Sequence, residues 1–429
     1  MTNCSKDIKA IVLAAGKGTR MKSQKPKVLH EIFSKPLVGW VLRALGDIEP
    51  IVVAGHGFDM VQEYLSKLPT KTAIVEQKEQ LGTGHAVMMC LDNLKNFEGN
   101  VIILCGDTPL ITKETLEDFI KYHNDNNSDL TVMSAIFENP FGYGRIIRSN
   151  NNVVAIVEEK DADVDQKSIK EVNAGIYLLN WNKIKKAFNE LQNNNAQNEY
   201  YLTDIISWAV KNQLNVQGYV IKDNTEIFGI NSREQLAIAT SYMNKKHLKK
   251  LMIDGVTIVD PDNTYISPET IIEQDTVIFP STYIEGVNKI GSSCKIGPMA
   301  HLRGNCIVGN NSKIGNFVEL KNATIGEKTN ACHLSYIGDS EVGNNVNIGA
   351  GTITANYNSI TKEKNKTILK DGVSVGSNCV LVAPVTLNEN AFVGALSSIT
   401  KDVEKDSLAL TRSEQKEYKN WVKNKKGIN

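Results

Sequence analysis

The chain has 429 residues, too many for one ordinary hydrophobic core, so two or three domains are expected. Hydrophobic residues make up 41% and charged residues 22%, a balance typical of a globular rather than a disordered protein. The 48 basic and 48 acidic residues cancel, which argues against general attraction to nucleic acid or to an anionic membrane. We find no apolar run long enough to cross a bilayer and no signal-peptide pattern before Ile11.

Cysteine usage bears on the compartment. The number is odd and no C-x-x-C pair occurs, so neither a disulfide framework nor a zinc site is expected, and a reducing cytoplasm fits best. The seven cysteines are Cys4, Cys90, Cys105, Cys294, Cys306, Cys332 and Cys379.

Up to about residue 230, β-rich runs alternate with amphipathic helical segments. The runs AIVLAAG, PIVVAG and NVIILCGD predict buried strands, and DMVQEYLSKL and KETLEDFIKYH predict helices between them. This alternation predicts a mostly parallel sheet with helices on both faces, and we assign it to a first domain, 1–230. Ser232–Met252 has no Gly or Pro and has helical apolar spacing, so 231–252 is predicted to be a connecting helix.

A six-residue period then marks the predicted third region, 253–429. One inward aliphatic and one corner glycine in every six residues predict a parallel β-helix with three short faces per coil. Before Ile290 the coils look fewer and irregular. The aliphatic positions are Ile290, Ile296, Leu302, Val308, Ile314, Leu320, Ile325, Ala331, Ile337, Val342, Ile348 and Thr354, then, after an insertion, Val375, Leu381, Leu387, Val393 and Ile399.

The first predicted strand leads into a basic glycine loop, GKGTRM. Such a loop presents backbone N–H groups to an anion, although a G-x-G pattern is equally consistent with a tight turn whose lysines are solvated. The third glycine of the dinucleotide fingerprint is missing and no G-K-[ST] P-loop occurs, which argues against hydride transfer and Walker-type hydrolysis.

The loop sequence LAAGKGTRM…KPKVLH resembles the opening signature of sugar-phosphate nucleotidyltransferases. The resemblance continues in order through EQKEQLGTGHA, LCGDTPL, GYGRI, IVEEKDA, VNAGIY, NEYYLTD and GINSREQL. Over nearly its whole length the chain resembles the bacterial bifunctional N-acetylglucosamine-1-phosphate uridylyltransferase/glucosamine-1-phosphate acetyltransferases.

That resemblance implies an α/β chain: a Rossmann-like nucleotidyltransferase domain, a connecting helix and a left-handed parallel β-helix of hexapeptide repeats ending in a tail. It implies acetylation of glucosamine 1-phosphate by acetyl-CoA, then uridylyl transfer from UTP, with release of pyrophosphate and UDP-N-acetylglucosamine. The product would feed peptidoglycan and lipopolysaccharide precursors. A cytoplasmic homotrimer acting on small molecules, without nucleic acid or membrane partners, is also implied.

For uridylyl transfer, the resemblance implies Mg²⁺ held by Asp107 and Asn231, with Arg20 and Lys27 neutralising the triphosphate. Gln77, Gly82 and Thr83 would read uracil, and Tyr201 and Thr203 lie in a matching stretch with less defined roles. Cys105 stands where the family often has tyrosine. The implied nucleotide and sugar binders are Leu13, Ala14, Ala15, Gly16, Arg20, Lys27, Gln77, Gly82, Thr83, Cys105, Gly106, Asp107, Gly144, Glu158, Asn173 and Asn231.

For acetyl transfer, His333 is the candidate general base, since a positioned imidazole can take the amine proton. The insertion NYNSITKEKNKT is two residues longer than the family suggests, so Lys362 competes with Lys364 as a phosphate ligand. The implied glucosamine 1-phosphate binders are Arg303, Lys321, Tyr336, Asn347 and Lys364; the implied acetyl-CoA binders are Ala350, Asn356, Tyr357, Ser377, Ala395 and Arg412.

The sequence also leaves other functions open. The chain could be a monofunctional nucleotidyltransferase whose β-helix regulates or oligomerises, as in glucose-1-phosphate adenylyltransferases, or the repeats could be a non-catalytic scaffold. His333 could also simply fill a corner of a coil. A zinc hydratase of the γ-carbonic-anhydrase type needs three histidines, and the β-helix offers only His301 and His333.

Overall fold

The structure is a computed structural model that describes residues 8–426; residues 1–7, among them Cys4, and residues 427–429 lie outside the described part. The chain divides into two compact units between Thr240 and Ser241. No helix within residues 8–426 is long and apolar enough to cross a membrane.

The amino-terminal unit is built on a nine-stranded sheet. Its main order is β11-β7-β10-β6-β1-β4-β5, with β8 and β9 at one side and only β10 antiparallel to its neighbours on the main path. A small ribbon, β2-β3, lies apart. The strands are β1 (Ile8–Ala14), β2 (Glu31–Ile32), β3 (Lys35–Pro36), β4 (Glu49–Ala54), β5 (Ala73–Glu76), β6 (Asn100–Cys105), β7 (Leu130–Ile136), β8 (Arg145–Ser149), β9 (Asn152–Val157), β10 (Glu171–Asn180) and β11 (Val216–Val220).

Strand β1 shows why this sheet needs cover on both faces. Ala10, Val12 and Ala14 belong to one hydrophobic core, whereas Ile11 belongs to the other. Because successive side chains of a strand point to opposite faces, a continuous apolar run feeds two cores. The predicted mostly parallel sheet with helices on both faces is confirmed.

The helices of this unit follow the predicted alternation. Thr112 precedes helix α4, and its Oγ1 accepts a hydrogen bond from the Thr115 N–H at 3.2 Å and so caps the helix. The helices are α1 (Leu37–Leu45), α2 (Phe58–Ser66), α3 (Thr83–Met88), α4 (Lys113–Asp125), α5 (Val164–Lys167), α6 (Trp181–Ile184) and α7 (Asp204–Lys211); α8 (Arg233–Ile253) is the predicted connecting helix, and short 3₁₀ turns span Thr19–Met21, Lys27–Leu29, Asp92–Leu94, Lys185–Asn189 and Asn224–Ile227.

The carboxyl-terminal unit is a prism with three parallel sheets, as the hexads predict. Face one holds β12 (Thr257–Ile258), β15 (Val277–Ile278), β18 (Lys295–Ile296), β21 (Lys313–Asn316), β24 (Asn330–His333), β27 (Asn347–Ile348), β30 (Ser374–Val375), β33 (Phe392–Val393) and β35 (Leu408–Ala409). Face two holds β13 (Tyr265–Ile266), β16 (Tyr283–Ile284), β19 (His301–Arg303), β22 (Glu319–Lys321), β25 (Tyr336–Gly338), β28 (Ile353–Ala355), β31 (Val380–Val382) and β34 (Ser398–Ile399). Face three holds β14 (Ile271–Ile272), β17 (Lys289–Ile290), β20 (Ile307–Val308), β23 (Thr324–Ile325), β26 (Ser340–Val342), β29 (Thr367–Leu369) and β32 (Val385–Leu387). A 3₁₀ turn spans Pro261–Asn263, and a short helix, α9 (Trp421–Lys426), lies in the tail.

Each predicted inward position, from Ile290 to Ile399, is buried. The expectation that coils before Ile290 are irregular is wrong. Ile266, Ile272, Ile278 and Ile284 are also buried, six residues apart, on β13 to β16. The regular part of the prism therefore begins at Ile266.

The corners explain why glycine recurs after the inward residues. At Gly376, a Cβ atom would lie 2.4 Å from the backbone nitrogen of Ala395 on the next coil. Successive coils stack at the distance of neighbouring β-strands, about 4.8 Å, so such a corner has no room for a side chain.

Two candidate active sites

The first site lies at the carboxyl ends of the adjacent parallel strands β1 and β6. The Gly106 N–H donates to the Leu13 carbonyl at 2.8 Å, so the loop after β6 is fixed beside the segment from Leu13 to Gly16. Ligands of open α/β sheets bind at this edge. The strand order thus places the predicted nucleotide loop and the predicted metal ligand together.

Three side chains far apart in sequence meet at this edge. The Lys27 ammonium forms an ion pair with the Asp107 carboxylate and donates to Asn231 Oδ1 at 2.9 Å. The side chains of Lys27 and Asp107 are only 13% and 18% exposed. The Asp107 carbonyl also accepts from the Ile230 N–H at 2.9 Å, which holds the Asn231 segment against the loop.

The glycine loop is shaped around Lys27. Gly18 has a left-handed φ of 58°, and a Cβ atom there would lie 2.7 Å from the Lys27 Cβ. Glycine therefore permits both the turn and the close approach. Arg20 follows in the Thr19–Met21 turn with its side chain exposed.

The predicted uracil segment packs beside the same loop. The buried Gln77 donates to the Gly82 carbonyl at 3.1 Å, and Gly82 directly precedes α3. A Cβ on Gly55 would lie 2.9 Å from the Gln77 carbonyl and 3.0 Å from the Ala15 Cβ, so both segments adjoin Gly55. Thr83 Oγ1 accepts from a backbone N–H of the segment that carries Tyr201 and Thr203, at 3.1 Å.

The predicted sugar binders form the next part of the site. The Asn173 N–H donates to the Gly144 carbonyl at 2.8 Å, and a Cβ on Gly144 would lie 3.4 Å from a Glu158 carboxylate oxygen. Thr203 donates to Glu158 at 3.3 Å. Cys105 Sγ contacts the Gly175 carbonyl at 3.8 Å, which connects these residues to the loop that carries Asp107.

Burial raises the pKa of two groups in this part of the site. It raises the pKa of the Glu158 carboxyl, and the Thr203 hydroxyl partly opposes that shift. Burial, together with the Asp107 charge, raises the pKa of the Cys105 thiol to about 12, so Cys105 is a neutral thiol.

The second site follows one edge of the prism, between faces one and two. On five successive coils, the residue that lies two positions after the inward residue is at this edge. Backbone hydrogen bonds of 2.7 to 3.4 Å link each of these coils to the next. The Arg412 guanidinium donates to the last carbonyl of this series at 3.3 Å. The five are Asn316, His333, Ala350, Ser377 and Ala395.

His333 is exposed at the end of β24, and its Nδ1 lies 3.0 Å from Asn316 Oδ1. Because an amide oxygen only accepts, Nδ1 donates this hydrogen bond, and Nε2 is the ring nitrogen that Asn316 does not engage. His301, which lies on β19, instead contacts Glu285 at 3.2 Å.

The predicted phosphate ligands lie mainly on face two. Arg303 and Lys321 are register partners on β19 and β22, and Arg303 Nε donates to Glu319 at 2.6 Å. Tyr336 follows on β25, with its pKa raised by burial and lowered in part by a hydrogen bond from Asn356. Asn347 lies on face one, on β27, the strand after that of His333.

The insertion forms a small hairpin. Lys364 pairs with Tyr357 in an antiparallel bridge, and the Asn365 N–H donates to the Asn356 carbonyl at 2.8 Å. Lys362 lies nearer the tip, with a left-handed φ of 63°. The hairpin thus places Lys364 next to two predicted acetyl-CoA binders.

Sequence reasoning did not identify Asn316, Glu319 or Asp339 as parts of the second site. Their signal is positional: Asn316 and Asp339 lie two residues after an inward aliphatic, as His333 does. Predicting these contacts requires the coil register, because partners lie 16 to 17 residues apart.

The donor set of the first site suits a hard cation. Asp107 and Asn231 offer a carboxylate and an amide oxygen, and both already converge on the Lys27 ammonium. Within residues 8–426, no three His, Cys, Asp or Glu side chains come together as a metal-ligand group. The chemistry fits Mg²⁺, which takes few protein ligands.

Comparisons with known proteins agree with this geometry. Residues 10–159 match the MobA-like NTP transferase domain, and residues 289–322 match the bacterial transferase hexapeptide repeats. Bifunctional protein GlmU from Caldanaerobacter subterraneus subsp. tengcongensis is 45% identical over 97% of this chain and 98% of its own length. Its counterpart from Acetivibrio thermocellus is 44% identical over 96% of each chain.

The chain belongs to the bifunctional GlmU family. Its two predicted activities, N-acetylglucosamine-1-phosphate uridylyltransferase and glucosamine-1-phosphate acetyltransferase, are confirmed, and with them the synthesis of UDP-N-acetylglucosamine. The GlmU family match also removes the monofunctional and scaffold alternatives. A solved glucose-1-phosphate thymidylyltransferase of Bacillus anthracis, crystallised with sucrose, covers 55% of this chain and 94% of its own at 18% identity and a TM-score of 0.42.

Proposed function

We propose that the first site performs uridylyl transfer with the residues expected from the sequence. The meeting of Lys27, Asp107 and Asn231, separated by up to 204 residues, is the observation that carries this assignment. Two anions must approach for the reaction, so cations near the phosphates lower the barrier. Arg20 and Lys27 supply fixed positive charge from the chain itself.

Asp107 and Asn231 would hold Mg²⁺, which neutralises phosphate charge when it is bound. The backbone of Leu13 to Gly16 would contact the nucleotide, while Gln77, Gly82 and Thr83 read the pyrimidine edge. On the opposite side, Gly144, Glu158 and Asn173 would hold the amino-sugar. Cys105 and Gly106 would complete the wall between the two groups.

We propose that acetyl transfer occurs along the His333 edge. His333 Nε2 would accept a proton from the amine of glucosamine 1-phosphate, since Asn316 engages Nδ1. The amine nitrogen then attacks the thioester carbon of acetyl-CoA, the carbon–sulfur bond breaks, and the proton held by His333 passes to the leaving sulfur, so that the coenzyme leaves as the thiol. The stacking of the proposed acetyl-CoA binders on the coils that follow His333 supports this assignment.

The proposed phosphate ligands are Arg303, Lys321, Tyr336, Asn347 and Lys364, and the proposed acetyl-CoA ligands are Ala350, Asn356, Tyr357, Ser377, Ala395 and Arg412. Arg303 and Lys321 share a register on one face, which supports a common phosphate. Pairing of Lys364 with Tyr357 favours Lys364 over Lys362.

We propose a homotrimer, supported by an apolar ladder beside His333. Met299, Phe317, Leu334 and Leu396 are 50% to 65% exposed, and all have left-handed φ between 49° and 60°. Bulky residues adopt this backbone at a cost of roughly 1–2 kcal/mol each, so their exposure at one corner suits contact with a second copy.

We propose cytoplasmic action, because acetyl-CoA and UTP are intracellular metabolites and the cysteines of the described chain are all free thiols. The proposed domain limits remain 1–230, 231–252 and 253–429, although the two compact units divide inside α8, after Thr240.

Substitution His333→Ala tests the assignment. Acetyl transfer should fall by about 10²- to 10⁴-fold, whereas uridylyl transfer should change less than about twofold. His301→Ala is the matched control and should retain both activities. Loss of both activities in the His333 variant would contradict two separate sites, and unchanged acetylation would remove His333 as the base.

A further inference from the structure

A second edge of the prism, between faces two and three, carries a row of polar side chains. Asn322, Asp339 and Asn356 each lie two residues after the inward residue of their coil. The Asp339 carboxylate accepts from Asn322 Nδ2 at 3.2 Å with one oxygen and from Asn356 Nδ2 with the other. One carboxylate therefore joins three successive coils.

Asn356 is held from several directions. Its side chain is only 6% exposed and lies within hydrogen-bonding reach of the Tyr336 hydroxyl, and its carbonyl accepts from Asn365 at the base of the insertion hairpin. Tyr336 and Asn356 are proposed ligands of the two different substrates. A change in the Asn356 amide would therefore affect both substrates.

The charge of Asp339 fixes the orientation of that amide. A carboxylate can only accept hydrogen bonds, so the Asn356 NH₂ must face it and Oδ1 must face elsewhere. If Asp339 were neutral or absent, the amide could rotate and exchange its donor and acceptor ends at little cost. Acetyl-CoA carries amide N–H groups that a fixed Oδ1 could accept.

We propose that Asp339 is a positioning residue for acetyl transfer: it fixes the Asn356 amide and, through it, the Tyr336 hydroxyl. The inference rests on the proposed roles of Asn356 and Tyr336. Asp339 itself is not among the proposed ligands of either substrate.

The isosteric variant Asp339→Asn keeps the side-chain volume but removes the charge and the obligatory acceptor. We expect kcat/KM for acetyl transfer to fall by about 10- to 100-fold, with KM rising for both substrates, because hydrogen bonds to charged groups are the strong ones. The matched control is Asp371→Asn on a different edge, where Asp371 accepts from the Asn344 N–H at 2.7 Å. That control should retain wild-type kinetic constants.

A double-mutant cycle separates positioning from simple packing. In an Asn356→Ala background, Asp339→Asn should cost less than about twofold, since the amide that it orients is gone. Wild-type kinetics for Asp339→Asn, or losses that multiply in the double variant, would overturn the inference. If Asn356→Ala alone left acetylation unchanged, the proposed role of Asn356 would fail instead, and the inference with it.

Discussion

Lys27 occupies the place of a cation in the first site, and removing its charge should change how the site binds metal. The ammonium contacts both proposed Mg²⁺ ligands, Asp107 and Asn231. A divalent ion that enters without nucleotide must displace this ammonium, so Lys27 and the metal compete. In Lys27→Met the ligands are retained but the competitor is absent.

The size of the effect follows from the contacts that are lost. Hydrogen bonds to charged groups contribute about 1.5–3 kcal/mol, and 1.4 kcal/mol corresponds to a tenfold change in affinity. Removing Lys27 should therefore strengthen Mn²⁺ binding without nucleotide by about 10- to 100-fold. Uridylyl transfer should weaken, because Lys27 is also proposed to bind the triphosphate.

Mn²⁺ titration followed by electron paramagnetic resonance measures this affinity directly. Lys25→Met is the matched control: it removes a lysine of the same loop, whose ammonium pairs with Glu31 at 2.7 Å. It should bind Mn²⁺ as the wild type does. If Lys27→Met showed wild-type Mn²⁺ affinity, the competition between ammonium and metal would be refuted.

Two further predictions concern a histidine in each unit. Asn316→Ala should lower kcat for acetyl transfer by about 2- to 10-fold, because the variant loses one neutral hydrogen bond to His333. Steady-state assays measure this change, and an unchanged kcat would show that Asn316 does not position His333. Burial lowers the pKa of His123 in the folded chain from 6.5 to about 4. As the pH falls, the unfolded chain therefore binds a proton at this histidine before the folded chain does, so free energy of unfolding that is present above pH 6.5 is lost as the pH falls towards 4. The free energy of unfolding should fall by about 3 kcal/mol, at 1.36 kcal/mol per pKa unit, and by less in His123→Gln. Urea midpoints at pH 7 and pH 4, followed by tryptophan fluorescence, measure it; the exposed His56→Gln is the control, and an unchanged pH dependence in His123→Gln would contradict the reasoning.

The hexad period predicted the interior of the prism well, because each inward position has one neighbour above and one below. It failed before Ile290, since the glycine signal is missing there: Ile266, Ile272 and Ile284 are followed by Ser or Glu. The corner after Ile272 uses Asp275 and the corner after Ile278 uses Ser281, both non-glycine residues in the left-handed region. A glycine directly after an inward aliphatic residue therefore indicates a coil, but a coil can form without one.

The first site could not be assembled from the sequence by physical reasoning alone. Lys27 lies 80 residues from Asp107 and 204 from Asn231, and no local period links them. Family resemblance suggested the metal pair, but not that Lys27 joins its two oxygens. Similarly, Asn316 meets His333 because the two residues occupy the same position on successive coils, 17 residues apart.

The one-dimensional stacking of the coils has a consequence for damage and truncation. Since each coil is held mainly by the coils on either side, the carboxyl-terminal end can fray without disturbing the middle. Arg412 and Ala395 lie at that end, while Arg303 and Lys321 lie many coils inward. If these residues bind the substrates as proposed, partial unwinding would release acetyl-CoA first and leave a prism that still binds glucosamine 1-phosphate.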